Sequence, residues 1–387
     1  MPKVSDWAES VPMSGIRVIF DLIAGRDDIF HLEIGESDFP TPAHVVEAAV
    51  SSARAGSGYT DTSGVGTLRA AIADKLRRVN GFDVTPDQII ITQGGIQGVS
   101  LIMSTLVKPG YEILLPDPTW PHFEMLTRLH GAIPTPYPLD PANGFMPDPA
   151  QVESMITDRT GLLIINTPAN PSGSVFSDGL VDAFVEVAAR HDLPLLSDEV
   201  YDEIIFDGRS PANAFGKDPE NVLGLYSFSK TYSMTGWRIG YVVAPKWLAP
   251  TLSRIQEPLV TCLPTMTQAA AEAAITGPQD IVGEMRRSYQ HRRDLAVRLF
   301  KEGGIEVDVP GGGYFLMVPL AEGVDSKQAS LDLVNWNVST TFGTAYGQVA
   351  SSYLRISLVS SVSDLEGGIG RIIDWYGATG GGRNLPG

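Results

Sequence analysis

Lys230 follows a strand-like run and stands among small hydroxyl residues, in Tyr226-Ser-Phe-Ser-Lys230-Thr-Tyr-Ser-Met-Thr-Gly-Trp-Arg238-Ile-Gly240. A lysine amine condenses with an aldehyde to an imine, a standard device of nucleophilic catalysis. Ser227, Ser229 and, eight residues past the lysine, Arg238 are suited to hold a phosphate beside it. Gly236 and Gly240 let the backbone turn tightly. The stretch therefore suits a ligand that is both an aldehyde and a phosphate ester.

Five other segments carry residues with chemistry to offer such a ligand. In ITQGGIQG (91–98) a Gly-Gly pair joins a strand to a helix, where backbone amides bind phosphate, or where the pair serves only as a tight turn. In DPTWPHFEML (117–126) Trp120 sits between two prolines, as a platform for a flat ring or as a core tryptophan. His122 beside it reads as a structural or rim residue. In NTPANPSG (166–173) Pro171 bars a helix through Asn170, whose amide can donate to a phenolate oxygen or simply close a turn. In LLSDEVYDEIIFDG (195–208) Asp198 ends a strand and Tyr201 follows three residues on. A carboxylate there can hold a proton on a pyridine nitrogen, or cap a helix. In SYLRISL (352–358) Arg355 interrupts an apolar strand. It needs a carboxylate partner, supplied by a substrate or by the protein itself.

The elements that must position these residues alternate. Helical spacing marks 43–55 and 66–79, then 96–107, 119–130 and 178–190. Short apolar β-like runs fall at 88–92, 112–115, 161–165, 193–197, 222–228 and 238–243. This predicts a mostly parallel sheet wrapped by helices, with ligands at the carboxyl ends of its strands. From about 278 the pattern changes to one long charged helix, 278–302. β-like runs at 305–309, 313–318 and 353–358 follow, with helical runs at 326–336 and 363–376. The division expected is a large domain over 43–277, a smaller α+β domain from 1–42 with 278–377, and a flexible glycine-rich tail at 378–387.

The chain has 387 residues, 43% hydrophobic and 19% charged, a globular composition. Its net charge of −17 argues against nucleic acid and anionic membrane surfaces as partners. No apolar run approaches the ~20 residues of a membrane helix, and MPKVSDWAES lacks an apolar signal core. The single cysteine, Cys262, reads as a buried filler and fits a reducing compartment. A cytoplasmic location is expected, and no residue pattern asks for a metal.

In order, Gly94-Gly95, Trp120, Asn170, Asp198, Tyr201, Lys230, Arg238 and Arg355 resemble the fold type I enzymes that use pyridoxal 5'-phosphate (PLP). More narrowly, the chain is similar to the class I/II aminotransferases of the aspartate aminotransferase superfamily. The similarity runs from HLEIGESDFPTP (31–42), where that family usually reads IGEPDF-x-TP, through GYTDTSGVGTLRAAIA (58–73), NPSG, SDEVY and SFSKTYSMTGWRIGY to YLRIS. It implies an α/β fold type I PLP-transferase, with a seven-stranded-type, mostly parallel sheet between helices. It implies Lys230 as the Schiff-base lysine and proton shuttle, its pKa lowered by Arg238 and desolvation. It implies Asp198 on the pyridine nitrogen, Asn170 and Tyr201 on the ring oxygen, and Trp120 on the ring face. Gly95 and Ile96 amides, Ser227, Ser229 and Arg238 would hold the phosphate. Tyr59 would reach the phosphate of a neighbouring subunit in a homodimer with shared active sites. Gly35 and Arg355 would meet the substrate carboxylate.

The activity implied is ping-pong transfer of an amino group between an amino acid and a 2-oxo acid. Ile96 stands where aspartate-specific relatives often carry a lysine, and Gln97 after it is uncharged. With Ile16 and Phe39 it predicts an apolar pocket for neutral or aromatic donors, with glutamate and 2-oxoglutarate as a partner couple. Ser37 for the common proline, and TTFGTAYGQ (340–348) for the usual PG-x-x-FG, are further departures. The same cofactor residues would also serve a lyase or a β/γ-replacement enzyme. A non-catalytic PLP-binding regulator fits the residues less well.

Overall fold

In the computed structural model, which describes residues 4–382, the apolar runs pair into a sheet of eight strands. Its order is Ile89–Thr92, Gly240–Val243, Val222–Ser227, Leu195–Asp198, Thr160–Asn166, Glu112–Asp117, Ile133–Asp140 and Met146–Pro147. The five strands from Val222–Ser227 to Ile133–Asp140 run parallel, and the remaining pairings are antiparallel. The eighth strand is a two-residue edge beyond the seven-stranded pattern.

Successive strand residues feed opposite faces. Ile89, Ile91, Leu163 and Ile165 enter one hydrophobic cluster, while Ile90, Leu162 and Ile164 enter another. Both faces are buried, which is why these runs are continuously apolar rather than alternating. Helices Ala43–Ala55 and Gly66–Lys75 pack on the first cluster, and Gly94–Leu106 and His122–Leu129 on the second.

A three-stranded antiparallel sheet follows, Phe315–Pro319, Tyr353–Ser357 and Thr341–Phe342, with Arg355 opposite both Met317 and Thr341. Asp280–Glu302 and Val362–Thr379 cover it over a separate core that contains Tyr289, Phe300, Ile369 and Trp375. Phe30–His31 pairs in parallel with Val338–Ser339, which ties the N-terminal segment to this part of the chain.

Several expectations need correction. Residues 305–309 form no strand; their alternation buries Ile305 and part of Val307 against the second core, but no neighbouring strand is there to pair with. The helix expected from 96 begins at Gly94, so the Gly-Gly pair lies inside its first turn. Of the tail at 378–387, the first residues are not loose. The last helix runs through Thr379, Gly381 N–H donates to Tyr376 O, and Gly382 N–H donates to Thr379 Oγ1. Residues 383–387 lie outside the described residues. Among the described residues no helix is long and apolar enough to cross a membrane.

Candidate active site

The parallel strands end together: Asn166 is level with Asp198, and Asp198 with Leu225. Beyond these ends opens a cavity of about 450 Å³. Every expected site residue except Tyr59 lines it: Gly35, Gly95, Ile96, Trp120, Asn170, Asp198, Tyr201, Ser227, Ser229, Lys230, Arg238 and Arg355. Tyr59 lies outside it and is 91% exposed, the exposure a residue needs if its partner is another subunit.

Lys230 sits in a short helix, Phe228–Thr231, capped by the Ser227 side chain, which accepts from Ser229 N–H. The lysine Nζ donates to Gly35 O at 2.8 Å, and Tyr314 Oη donates to the same carbonyl at 2.9 Å. Burial pushes the ammonium down to about 8; Arg355 adds to this, Glu36 opposes it, and Arg238 contributes least. The arginine that matters most for the lysine is therefore Arg355, the one more distant in sequence.

Two buried charges in this cavity face no opposite charge. Asp198 is 3% exposed, and among the described residues its carboxylate accepts one hydrogen bond, from Val200 N–H at 3.2 Å. Burial pushes its carboxyl up to about 7, against the pull of that N–H. Arg355 is 2% exposed and lies within 4.0 Å of no carboxylate among the described residues. It donates instead to Glu33 O at 2.5 Å and Asn170 Oδ1 at 3.2 Å, and it lies 4.0 Å from the Phe315 ring and 4.9 Å from that of Tyr346. Its Nε is buried without a partner. A buried ion held this way is costly unless an opposite charge pairs with it.

The phosphate-friendly corner is built from close approaches. Gly94 has φ +74°, and a Cβ there would stand 2.5 Å from Arg238 Nη2. Arg238 is itself left-handed, at φ 54°, and donates to Thr235 O at 2.7 Å. Gly94→Ala is therefore expected to displace the guanidinium and to strain the backbone. The cofactor-free protein should lose about 1–2 kcal/mol of stability, and phosphate-bearing ligands should bind roughly tenfold more weakly. Thermal unfolding and an equilibrium titration with pyridoxal phosphate read the two effects separately.

The pocket's outer wall differs from the expected one. Ile16 lines the cavity, but Phe39 does not: it packs edge-on against Tyr289 and under Arg292. Phe20, from the same helix as Ile16, lines the wall instead. The three-to-four-residue helical spacing of 16 and 20 was the available sign. Ser37, in place of the family's proline, joins Tyr289 Oη and Ser233 Oγ, each at 2.7 Å. Thr235 donates to Glu36, Thr41 Oγ1 donates to Ser233 O at 2.6 Å and Trp237 Nε1 donates to Thr41 Oγ1 at 3.1 Å, so the segment after Lys230 is tied to the N-terminal segment at several points. In the loop 340–348, Thr341 and Tyr346 support Arg355. Gly347 passes against Asp117, whose carboxylate accepts from Gln348 and Val349 N–H, each at 3.1 Å.

Comparison with known proteins agrees along most of the chain. The family model described as aminotransferase class I and II matches residues 27–372. An aromatic-amino-acid aminotransferase 2 of Thermococcus litoralis is 35% identical over 95% of this chain and 97% of its own. An aspartate aminotransferase of Pyrococcus abyssi is 33% identical over the same shares. Among solved structures, the aspartate aminotransferase of Thermus thermophilus with maleate superposes with a TM-score of 0.92 at 30% identity, over 97% of this chain and 100% of that one. The aromatic aminotransferase of Pyrococcus horikoshii OT3 gives 0.88 at 31%, over 94% and 99%.

Proposed function

The chain belongs to the class I and II aminotransferases, enzymes that use pyridoxal phosphate, and on that premise we propose that it moves an amino group from a neutral or aromatic L-amino acid to a 2-oxo acid. The observation that carries the reading is the pair of unmatched buried charges, Asp198 and Arg355, in one cavity with a lysine whose pKa is lowered.

The residues fit the cofactor. Asp198 would meet a protonated pyridine nitrogen, which accounts for a buried carboxylate with a single hydrogen bond. The amides at the start of helix 94–106, with Ser227, Ser229 and Arg238, would meet the phosphate. Trp120 presents its indole to the cavity, and Asn170 and Tyr201 would hold the ring oxygen. When bound, the cofactor supplies an electron sink beside the substrate Cα. Arg355 grips the α-carboxylate bidentately, and Gly35 leaves room beside it; a side chain at 35 would meet the Phe315 ring at 2.8 Å. Lys230, neutral in a useful fraction near pH 8, takes the Cα proton and returns it. Gly35 O is the carbonyl on which its amine rests.

The lean to neutral and aromatic donors rests on Ile16, Phe20, Ile34 and Ile96 in the wall, and on the absence of a fourth lysine or arginine among the described lining residues. A donor panel with purified protein and pyridoxal phosphate tests it: 2-oxo acid should form from neutral or aromatic amino acids, and a strong preference for aspartate would refute the lean. Ammonia and pyruvate in place of transfer would point to a lyase.

We also propose a cytoplasmic homodimer in which Tyr59 reaches the neighbour's phosphate site. The two working bodies would be 43–277 and the combination of 1–42 with 278–377. Sedimentation should give twice the 41.6 kDa chain mass, and Tyr59→Phe should weaken cofactor binding severalfold without dissociating the dimer.

A further inference from the structure

His122 is a polar side chain of the cavity wall that none of these roles uses. It opens the helix His122–Leu129, two residues past Trp120. Its ring stacks on the indole with centroids 4.5 Å apart and planes at 26°. Among the described residues neither ring nitrogen has a hydrogen-bond partner. Nδ1 is sealed and unpaired, Nε2 is not sealed, and the residue lines the cavity.

Burial pushes the imidazole below its usual range, so the ring is neutral near pH 7. A neutral imidazole carries one N–H. A buried lone pair without a donor is tolerated better than a buried N–H without an acceptor. The proton therefore belongs on Nε2, and the cavity gains one uncommitted donor.

The wall around it selects what can accept. Ile16, Phe20, Ile34 and Ile96 are apolar, and the cavity's three lysine and arginine side chains already have roles. A second carboxylate on a substrate would find no free cation. A neutral oxygen at the end of an apolar or aromatic stem would find His122.

Resting on the transfer reading above, we propose that His122 is a specificity-determining residue whose Nε2–H donates to a neutral side-chain oxygen of the amino donor, a phenol hydroxyl in first place. L-tyrosine and L-phenylalanine differ by that hydroxyl alone. So do 3-(4-hydroxyphenyl)propionate and 3-phenylpropionate, which lack the amino group and cannot react.

The test measures calorimetric Kd values of the two acids on the holoenzyme, and kcat/KM for the two amino acids. The wild type should favour the hydroxylated member of each pair by about threefold to tenfold, the worth of one neutral hydrogen bond. His122→Phe, which keeps a ring against Trp120, should bring both ratios to about one by weakening the hydroxylated member of each pair. A wild-type ratio of one or below overturns the proposal without need of a variant. So does a ratio that survives His122→Phe, or a preference for aspartate over both aromatic donors. If neither aromatic amino acid yields a 2-oxo acid while another amino acid does, the aromatic lean falls and the proposal with it; if no amino acid of the donor panel does, the transfer reading itself falls; turnover with equal ratios removes only the role of His122.

Discussion

Lys230→Ala is expected to lower amino-group transfer by ~10⁴-fold or more while leaving the protein folded. The lysine's hydrogen bond is to Gly35 O, and Tyr314 Oη still satisfies that carbonyl when the lysine is gone. No buried acceptor is orphaned, so the usual penalty for deleting a buried polar group is absent. The deletion also removes an ammonium that burial disfavours. Thermal unfolding of the cofactor-free variant should therefore match or exceed that of the wild type. The chemistry is a different matter, since no other cavity side chain carries an amine. Borohydride treatment with pyridoxal phosphate should leave a covalent mass on residue 230 of the wild type and none in the variant. The wild type should capture the cofactor faster as pH rises towards about 8, because only the free amine attacks. About one lysine in ten is free at pH 7 with that value, against fewer than about one in a thousand for an unperturbed lysine. Turnover within tenfold of the wild type, in a Lys230→Ala protein free of contaminating activity, would remove Lys230 from its role.

Much of this site was legible because its chemistry depends on residues fixed at strand ends. Asp198 and Ser227 end short, mostly apolar strands and Asn170 lies just past a third, and such runs are legible as buried strands without knowledge of their neighbours. Arg355 was legible for a related reason: a charge in an apolar strand needs an explanation, and the structure withholds an internal carboxylate. The strand Ile133–Asp140 was not legible, because Pro134, Pro136 and Pro138 argue against a ladder. They alternate, however, so all the missing N–H groups fall on one edge. The intervening residues can still bond the strand Glu112–Asp117, as Ile133 N–H does to Tyr111 O at its start. The outer wall was harder still. Whether Phe20 or Phe39 reaches the cavity depends on how the helix Gly15–Leu22 docks on residues 342–345, a long-range contact with no local signature. The dominance of Arg355 over Arg238 at Lys230 is of the same kind, since it follows from the meeting of two separate sheets at the cavity.

Asp198→Asn should change stability and activity in opposite directions. The folded carboxyl titrates near 7 and the ordinary one near 3.8. Between those values the native state holds a proton that the unfolded state has released. Stability of the cofactor-free protein therefore falls as pH rises through this window, and the whole deficit is present above about 7. Three units correspond to about 4 kcal/mol as an upper bound. Asparagine is nearly isosteric, has no charge to bury, and its side-chain oxygen still accepts from Val200 N–H. At pH 8 the cofactor-free variant should be more stable than the wild type by about 2–4 kcal/mol, and the slope between pH 4 and 7 should flatten. Added pyridoxal phosphate should then stabilise the wild type more than the variant, because only the wild type gains a counter-ion for its carboxylate. Transfer should fall by roughly 10³-fold, since a neutral amide cannot hold a proton on the ring nitrogen by charge. Denaturant unfolding at pH 5 and pH 8, with and without cofactor, separates these effects from a general loss of packing. An unchanged stability at pH 8 would mean that Asp198 carries no burial penalty, and the charge-matching argument for the whole cavity would lose its acidic half.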